Sequence, residues 1–255
     1  MYKSSLKYIV IIIILIAAIG AVISNFSKRG NFSNEMKLPN EVNLSLDSGA
    51  NYNERSRDHK SSNYYSTIDF YNSKSNDTLT ILEKFKTLQQ SSEWSCGVAS
   101  LLMVLDFYNI EGYNEENLWI HHPKGFEAKS SSLDELCTIV NNTSNLNIYS
   151  TKDIEGSFYD TFNTDFIISS LKNEKPIIIA WSDWGGHWQV IIGYDTMGTE
   201  STLDDVLIVA DPHDTTDHNQ DGYSVYSWER FKSEFFYIGD DDAVKRNSFM
   251  ILDNE

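Results

Sequence analysis

The sequence predicts an α+β domain, in which helices come first and an antiparallel sheet follows. Two observations lead to this fold class. Amphipathic helical patterns occupy the middle of the chain, and β-branched strand patterns dominate its last third. The chain has 255 residues, of which 41% are hydrophobic, so it can bury one sizeable core.

The best-defined helix begins at or just before Cys96. From Gly97 to about Asn109, apolar residues recur at three- and four-residue steps, which is the spacing of one buried helix face. Further helices are predicted where polar capping residues precede amphipathic patterns, over residues 114–121, 133–141, 163–173 and 228–236.

The strand patterns lie mainly after residue 174. Runs rich in β-branched residues, separated by turn-rich loops, predict strands over residues 175–181, 187–194, 206–211 and 248–252. Residues 146–150 form a shorter candidate strand. Residues 79–88 fit either a strand or a short helix.

The first 26 residues contain a membrane-targeting segment. Residues 9–23 are almost all apolar, and residues 8–26 nearly supply the about 20 helical residues that a bilayer core requires. We interpret this segment as an uncleaved transmembrane anchor. A cleavable signal peptide, with Ala18, Gly20 and Ala21 near the processing site, is the competing interpretation. Both place the remaining chain outside the cytoplasm, either anchored in the membrane or secreted.

Residues 27–76 are rich in Ser, Asn and charged residues, and their few apolar residues follow no sustained period. This composition predicts a disordered linker. The folded domain is therefore expected over residues 77–255, with ordered sequence beginning near Thr78.

The formal net charge is −17. Binding to a phosphate backbone needs clustered Lys and Arg, so this balance argues against a nucleic acid partner.

Cys96 is the first candidate for chemistry. At a helix N-terminus the backbone N–H groups are unpaired and the helix dipole is positive, which favours a thiolate and hence a nucleophile. The competing interpretation is a buried structural cysteine. In an exported chain Cys96 could also pair with Cys137, the other cysteine. We disfavour that disulfide because Cys137 lies in an apolar helical pattern typical of an ordinary buried thiol.

A histidine and a carboxylate in the second half of the chain complete a possible triad. His187 follows two glycines at the start of a predicted strand, and Asp211 stands at the end of another, directly before a proline. A thiol hydrolase needs an imidazole to carry the proton and a carboxylate to fix its tautomer. Each residue alone is a weak signal, and the set of Cys96, His187 and Asp211 is a stronger one.

Such a reaction also needs a hydrogen-bond donor for the oxyanion. Gln90, six residues before Cys96, can present its amide NH₂ beside the Cys96 backbone N–H. Gln89 is the rival for this role.

These motifs resemble a known family. Gln90, Cys96-Gly97, Gly186-His187-Trp188 and Asp211-Pro212, in this order, resemble the papain-like bacteriocin-processing, double-glycine leader peptidases, and especially their stand-alone C39-like branch. The resemblance covers residues 78–252. It implies a papain-like fold with the nucleophile helix packed on an antiparallel sheet, Cys96 and His187 as the catalytic pair, Asp211 as the residue that orients the imidazole, and Gln90 in the oxyanion hole.

The leading hypothesis is an exported, membrane-tethered cysteine peptidase that acts on a peptide or protein substrate. A catalytically silent module that binds peptide or cell-wall material is one alternative, and an acyltransferase or amidase that uses the same thioester chemistry is another. The chain carries no transporter or ATP-binding portion, so cleavage coupled to export is not expected. Nor does the resemblance carry double-glycine specificity over to this chain.

Two further groups of residues are candidates for binding a substrate or a metal ion. Trp184, Gly186 and Trp188 flank the candidate histidine and predict a substrate groove, although the tryptophans fit a core role equally well. Past Asp211, the side chains of Asp214, Asp217, Asn219 and Asp221 resemble the opening half of a calcium loop, whose later spacing fails. An acidic surface turn is therefore preferred over a structural calcium site. His213 and His218 lack a convincing zinc pattern, and the reaction requires no cofactor.

Overall fold

The computed structural model describes residues 68–182, 186–214, 221–238 and 244–253. The predicted membrane segment and the predicted linker up to residue 67 lie outside these ranges. Within them, no helix combines the length and the apolar character needed to cross a bilayer.

The described chain is an α+β structure, as predicted. Six α-helices are α1 (Cys96–Phe107), α2 (Glu115–Trp119), α3 (Leu133–Thr143), α4 (Phe158–Thr161), α5 (Thr164–Lys172) and α6 (Trp228–Glu234). The strands of the described ranges are β1 (Leu79–Ile81), β2 (Asn147–Ser150), β3 (Ile177–Trp181), β4 (His187–Asp195), β5 (Val206–Ala210), β6 (Tyr223–Ser227), β7 (Phe236–Ile238), β8 (Val244–Arg246) and β9 (Ser248–Asp253).

Seven of the described strands form one antiparallel sheet in the order β2-β9-β3-β4-β5-β6, with β1 paired to the C-terminal part of β4. Strand β4 lies near the centre, and every residue from His187 to Tyr194 is buried. Helix α1 packs against β4, and Gly97 near the start of the helix lies against Trp188 near the start of the strand.

The predicted helix caps hold the helix starts in place. The side chains of Asn114, Ser132 and Asn163 each accept a hydrogen bond from a backbone N–H in the first turn of α2, α3 and α5. The cap of α3 is reciprocal, because the Glu135 side chain accepts from the Ser132 N–H.

Several elements differ from the sequence-based predictions or complete them. Residues 79–88, which fitted either a strand or a helix, contain the short strand β1 followed by an irregular stretch in which buried and exposed residues are mixed. Ordered structure also begins before Thr78, because Phe70–Asn72 form a 3₁₀ turn and the side chains of Phe70 and Tyr71 pack against the core. Finally, the strands β6, β7 and β8 were not predicted.

Candidate active site

Three residues far apart in the sequence meet at one end of the central strands, where α1 and β4 begin and β5 ends. Cys96 is the first residue of α1, His187 is the first residue of β4, and Asp211 directly follows β5. All three are buried, with 7%, 3% and 0% of their surfaces exposed. The antiparallel pairing of β4 with β5 brings His187 and Asp211 to the same end of the sheet.

The imidazole of His187 connects the other two side chains. Its Nε2 lies 2.7 Å from Oδ1 of Asp211. The Cys96 side chain interacts with the same ring and helps to raise the pKa of the imidazole. Because Asp211 occupies Nε2, the nitrogen left for the sulfur is Nδ1. The order along this row is therefore carboxylate, imidazole, thiol.

The electrostatics of the row favour a charged imidazole. Burial alone disfavours the protonated ring, but the charge and hydrogen bond of Asp211, together with Cys96, outweigh it and raise the pKa of His187 to about 10. Burial likewise opposes ionisation of Asp211. The charge and hydrogen bond of His187, with backbone N–H donors from residues 213 and 214, nevertheless hold the pKa of Asp211 below its usual value.

Gly97 explains how the sulfur reaches the imidazole. A Cβ atom at this position would lie 3.2 Å from side-chain atoms of Ser131, Leu136 and Trp188. The missing side chain therefore lets the first turn of α1 approach α3 and the start of β4 closely. Cys96 precedes this contact, and His187 precedes Trp188, so the contact brings the two together.

Gln90 lies in the loop that leads into α1. Its backbone N–H donates to the carbonyl of Pro212 at 2.8 Å, which joins this loop to the residue after Asp211. Its side-chain Nε2 donates to the Ser92 carbonyl at 2.6 Å, and this bond uses one of its two N–H groups. Gln89, the rival candidate, is completely buried.

The two predicted groove residues that the structure describes have different surroundings. Trp188 is 3% exposed, and its Nε1 donates to the Ser131 carbonyl at 2.7 Å. Trp188 therefore packs in the core, with its ring against Gly97 of α1 and the Ser131 carbonyl, and its part in a substrate groove stays a prediction. Gly186 is half-buried with a φ of 147°, a backbone conformation that favours glycine. Trp184 lies outside the described residues.

The predicted calcium loop is described only at its ends. Oδ2 of Asp214 accepts from the Gly222 N–H at 2.7 Å, and Oδ1 of Asp221 accepts from the Tyr223 N–H at 3.1 Å. Asp217 and Asn219 lie outside the described residues. Across the described ranges, no group of three or more Asp, Glu, His or Cys side chains is arranged to hold a metal ion. Asp214 and Asp221 are buried, which departs from the preferred acidic surface turn, and the weaker calcium candidate stays a prediction.

His213 is a neighbour of the row that the sequence analysis did not recognise. Its backbone N–H donates to Oδ1 of Asp211 at 2.8 Å, and its ring lies edge-on to His187 with centroids 6.1 Å apart. The pKa of His213 is lowered, first by burial and then by the charge of His187. The sequence feature that predicts this contact is the Asp211-Pro212 pair, because the side chain of an Asp at a turn often accepts a hydrogen bond from the backbone N–H two residues later.

The two cysteines are not joined. Both are free, and Cys137 places its sulfur 4.0 Å from the sulfur of Met250 in β9. The disulfide that we disfavoured is therefore absent from the structure.

Comparison with known families adds evidence that is independent of this geometry. A model of the Peptidase_C39 like family matches residues 82–240, more than half of the chain. The matched segment includes Gln90, Cys96, His187 and Asp211. A search of curated proteins finds no match to the chain.

Proposed function

Because the chain belongs to the Peptidase_C39 like family, we propose that it is a cysteine peptidase that hydrolyses a peptide bond with Cys96 as its nucleophile. Membership of a peptidase family implies a peptide or protein substrate. The observation that carries the proposal is the row of Asp211, His187 and Cys96, with 2.7 Å between the carboxylate and the imidazole and an interaction of the Cys96 side chain with the imidazole.

The proposed reaction begins from a charged row. Near neutral pH the imidazole of His187 carries a proton because its pKa is raised to about 10, and Asp211 stabilises this imidazolium beside the Cys96 thiolate. The thiolate attacks the carbonyl carbon of the peptide, and the carbonyl electrons move to oxygen. As the C–N bond breaks, the imidazolium returns its proton to the leaving amine, which leaves a thioester on Cys96.

Water then releases the acyl group. His187 removes a proton from the attacking water, the second tetrahedral species collapses, and the Cys96 sulfur leaves. In both halves of the reaction the oxyanion needs donors. The Cys96 backbone N–H and the second N–H of the Gln90 amide are the proposed pair. Side chains, the Cys96 backbone N–H and water carry out every step, so the proposed reaction requires no cofactor.

We also propose a location for the peptidase domain. The apolar run over residues 9–23 favours a domain tethered to a membrane and held outside the cytoplasm. A tether would restrict the enzyme to peptides and proteins near that membrane surface.

Alkylation by iodoacetamide tests whether Cys96 is activated. We expect Cys96 to be labelled much faster than Cys137, because burial raises the pKa of the Cys137 thiol, with a further contribution from Asp153. The Cys137→Ala variant serves as the matched control and should keep the fast labelling. Equal slow labelling of both cysteines would sink the proposal.

A library of fluorogenic peptide amides tests the reaction class. The wild-type protein should release the fluorophore, and Cys96→Ala should not. Repeating the assay with an added amine, and identifying products by mass spectrometry, separates hydrolysis from acyl transfer. Rapid labelling of Cys96 with transfer products alone would favour an acyltransferase.

A further inference from the structure

The segment from residue 91 to residue 95 joins the candidate oxyanion donor to the nucleophile. It contains no helix or strand, so its shape depends on the hydrogen bonds that it makes. One end of the segment follows Gln90 and the other precedes Cys96. Any shift of this segment would move the proposed donor relative to the sulfur.

A single buried carboxylate contacts the start of this segment. Glu115, the first residue of α2, is 3% exposed. Its Oε2 accepts from the Ser91 backbone N–H at 3.1 Å, and its Oε1 accepts from the Ser91 hydroxyl. The Ser95 hydroxyl donates to the Ser92 carbonyl at 3.3 Å, and its side chain helps to lower the pKa of Glu115. The carboxylate therefore holds the residue that follows Gln90, and the bonds within the segment extend this hold towards Cys96.

Further hydrogen bonds within the segment connect it to the Gln90 amide. The Ser92 N–H donates to the Ser95 hydroxyl at 3.1 Å, which closes residues 92–95 into a turn. The carbonyl of Ser92 then accepts from Nε2 of Gln90 at 2.6 Å. The direction in which this carbonyl points sets the plane of the Gln90 amide, and with it the direction of the remaining N–H.

Glu115 itself is held firmly. Asn114 caps α2 by accepting from the Asn117 N–H, and its own N–H donates to Oδ1 of Asn117, which fixes the backbone on which Glu115 lies. Burial raises the pKa of Glu115, and the interactions with Ser91 and Ser95 act in the opposite direction. A carboxylate at this position is costly to bury, so its hydrogen bonds to the segment are the interactions that compensate.

We propose that Glu115 is a positioning residue of the active site, which holds residues 91–95 and thereby aims the Gln90 amide at the oxyanion. The inference rests on the proposed function, because it assigns Glu115 a part in that reaction. Glu115 touches neither the substrate nor the reacting atoms. Its effect on the reaction passes through Ser91, Ser92 and Ser95.

The alternative is a purely structural role, in which Glu115 only stabilises the first turn of a short helix. Glu116 provides the matched control. It lies in the same first turn, and both glutamates border a cavity of about 280 Å³, but the Glu116 side chain is exposed. If Glu115 only stabilised the helix dipole, Glu116→Gln and Glu115→Gln would have similar effects on kcat. If Glu115 positions residues 91–95, only Glu115→Gln lowers kcat.

The test compares peptide hydrolysis with iodoacetamide alkylation in the Glu115→Gln, Ser91→Ala and Glu116→Gln variants. Alkylation of a thiolate forms no oxyanion, so it reports on Cys96 and His187 alone. We expect Glu115→Gln to lower kcat about tenfold to a hundredfold, with a smaller loss in Ser91→Ala. The alkylation rate of Cys96 should stay within about twofold of wild type in both, and Glu116→Gln should behave as wild type.

Two kinetic results would overturn the inference. The first is an unchanged kcat in both Glu115→Gln and Ser91→Ala. The second is an equal fall of kcat and alkylation rate, because that would show general damage to the site.

Hydrogen exchange separates this inference from the proposed function. Glu115→Gln should raise the exchange rate of the amides in residues 91–95, and unchanged exchange would refute the anchoring role even in a protein without peptidase activity. If wild-type Cys96 labels as slowly as Cys137, the proposed function fails, whatever the exchange result.

Discussion

Oδ1 of Asp211 lies 2.7 Å from Nε2 of His187, and neither side chain has appreciable contact with solvent. Replacing the carboxylate by an amide in Asp211→Asn keeps the shape and removes the charge that favours the imidazolium. We expect kcat near neutral pH to fall by up to about 10⁴-fold, the size of the loss known for the corresponding change in a serine triad. Steady-state kinetics on the best library peptide measures this loss, and a variant with wild-type kcat would contradict the assigned role.

The same pair predicts how activity and stability change with pH. Because the folded pKa of His187 is raised from 6.5 to about 10, the stability that it contributes is complete below 6.5 and is lost as pH rises through 10. Thermal unfolding should therefore show a falling Tm across this window. In Asp211→Asn the folded pKa of His187 falls, so the decline should end at lower pH and be smaller. The alkaline limb of the pH–rate profile should shift in the same direction.

Gly97→Val tests the close approach of α1 to Trp188. The added side chain meets Ser131, Leu136 and Trp188, so Cys96 should move away from His187, and unfolding should become easier by about 1–3 kcal/mol. Iodoacetamide labelling of Cys96 should slow accordingly. Gly193→Ala is the control, since its Cβ would lie 2.9 Å from Cδ1 of Ile208 and should lower stability without slowing the labelling.

The roles assigned to the two neighbouring glutamines can be separated by single substitutions. Gln90→Ala should lower kcat by about 10²–10³-fold, the loss typical of one oxyanion donor, and leave alkylation of Cys96 nearly unchanged. Gln89→Ala removes a completely buried side chain and should mainly lower the urea midpoint of unfolding. The reverse pattern, with kcat lost only in Gln89→Ala, would transfer the donor role to Gln89.

Gly222 supports Asp211 from the neighbouring turn. Its carbonyl accepts from the Asp211 N–H at 2.8 Å, its φ is 84°, and a Cβ there would lie 2.3 Å from Cβ of Thr87. Gly222→Ala should therefore reduce stability by more than the about 1–2 kcal/mol of backbone strain alone, and should also reduce kcat. Gly156→Ala is matched in φ, at 88°, with no atom within 4 Å of its Cβ, and should show only the strain. Urea unfolding of both variants makes the comparison.

The features that were predictable from the sequence are those that depend on local patterns. Helix α1, the caps at Ser132 and Asn163, and the central strands β3, β4 and β5 follow from periodicity and capping residues. The family resemblance drawn from motif order is confirmed by the family match. The motif residues Cys96, His187 and Asp211 were found because reactive residue types stand at the ends of strongly patterned elements.

The features that were missed depend on tertiary contacts. Strand β6 reads Tyr-Ser-Val-Tyr-Ser and exposes Val225 while it buries Ser224, the reverse of what hydrophobicity suggests, so its pairing with β5 gave no strand signal. Strands β7 and β8 have only three residues each. Glu115 looks like an ordinary acidic residue in a first helical turn. Its inward contact with Ser91 appears only when the loop before Cys96 folds over α2.

The separation of the two cysteines has a consequence for oxidative damage. Peroxide converts a reactive thiolate to a sulfenic acid, which is rescued when a neighbouring thiol forms a disulfide with it. Here the sulfur of Cys96 adjoins His187, whereas that of Cys137 lies against Met250, and the chain contains no third cysteine. Recovery of an oxidised Cys96 therefore depends on a small-molecule reductant or another protein, and without one oxidation proceeds to the irreversible sulfinic form.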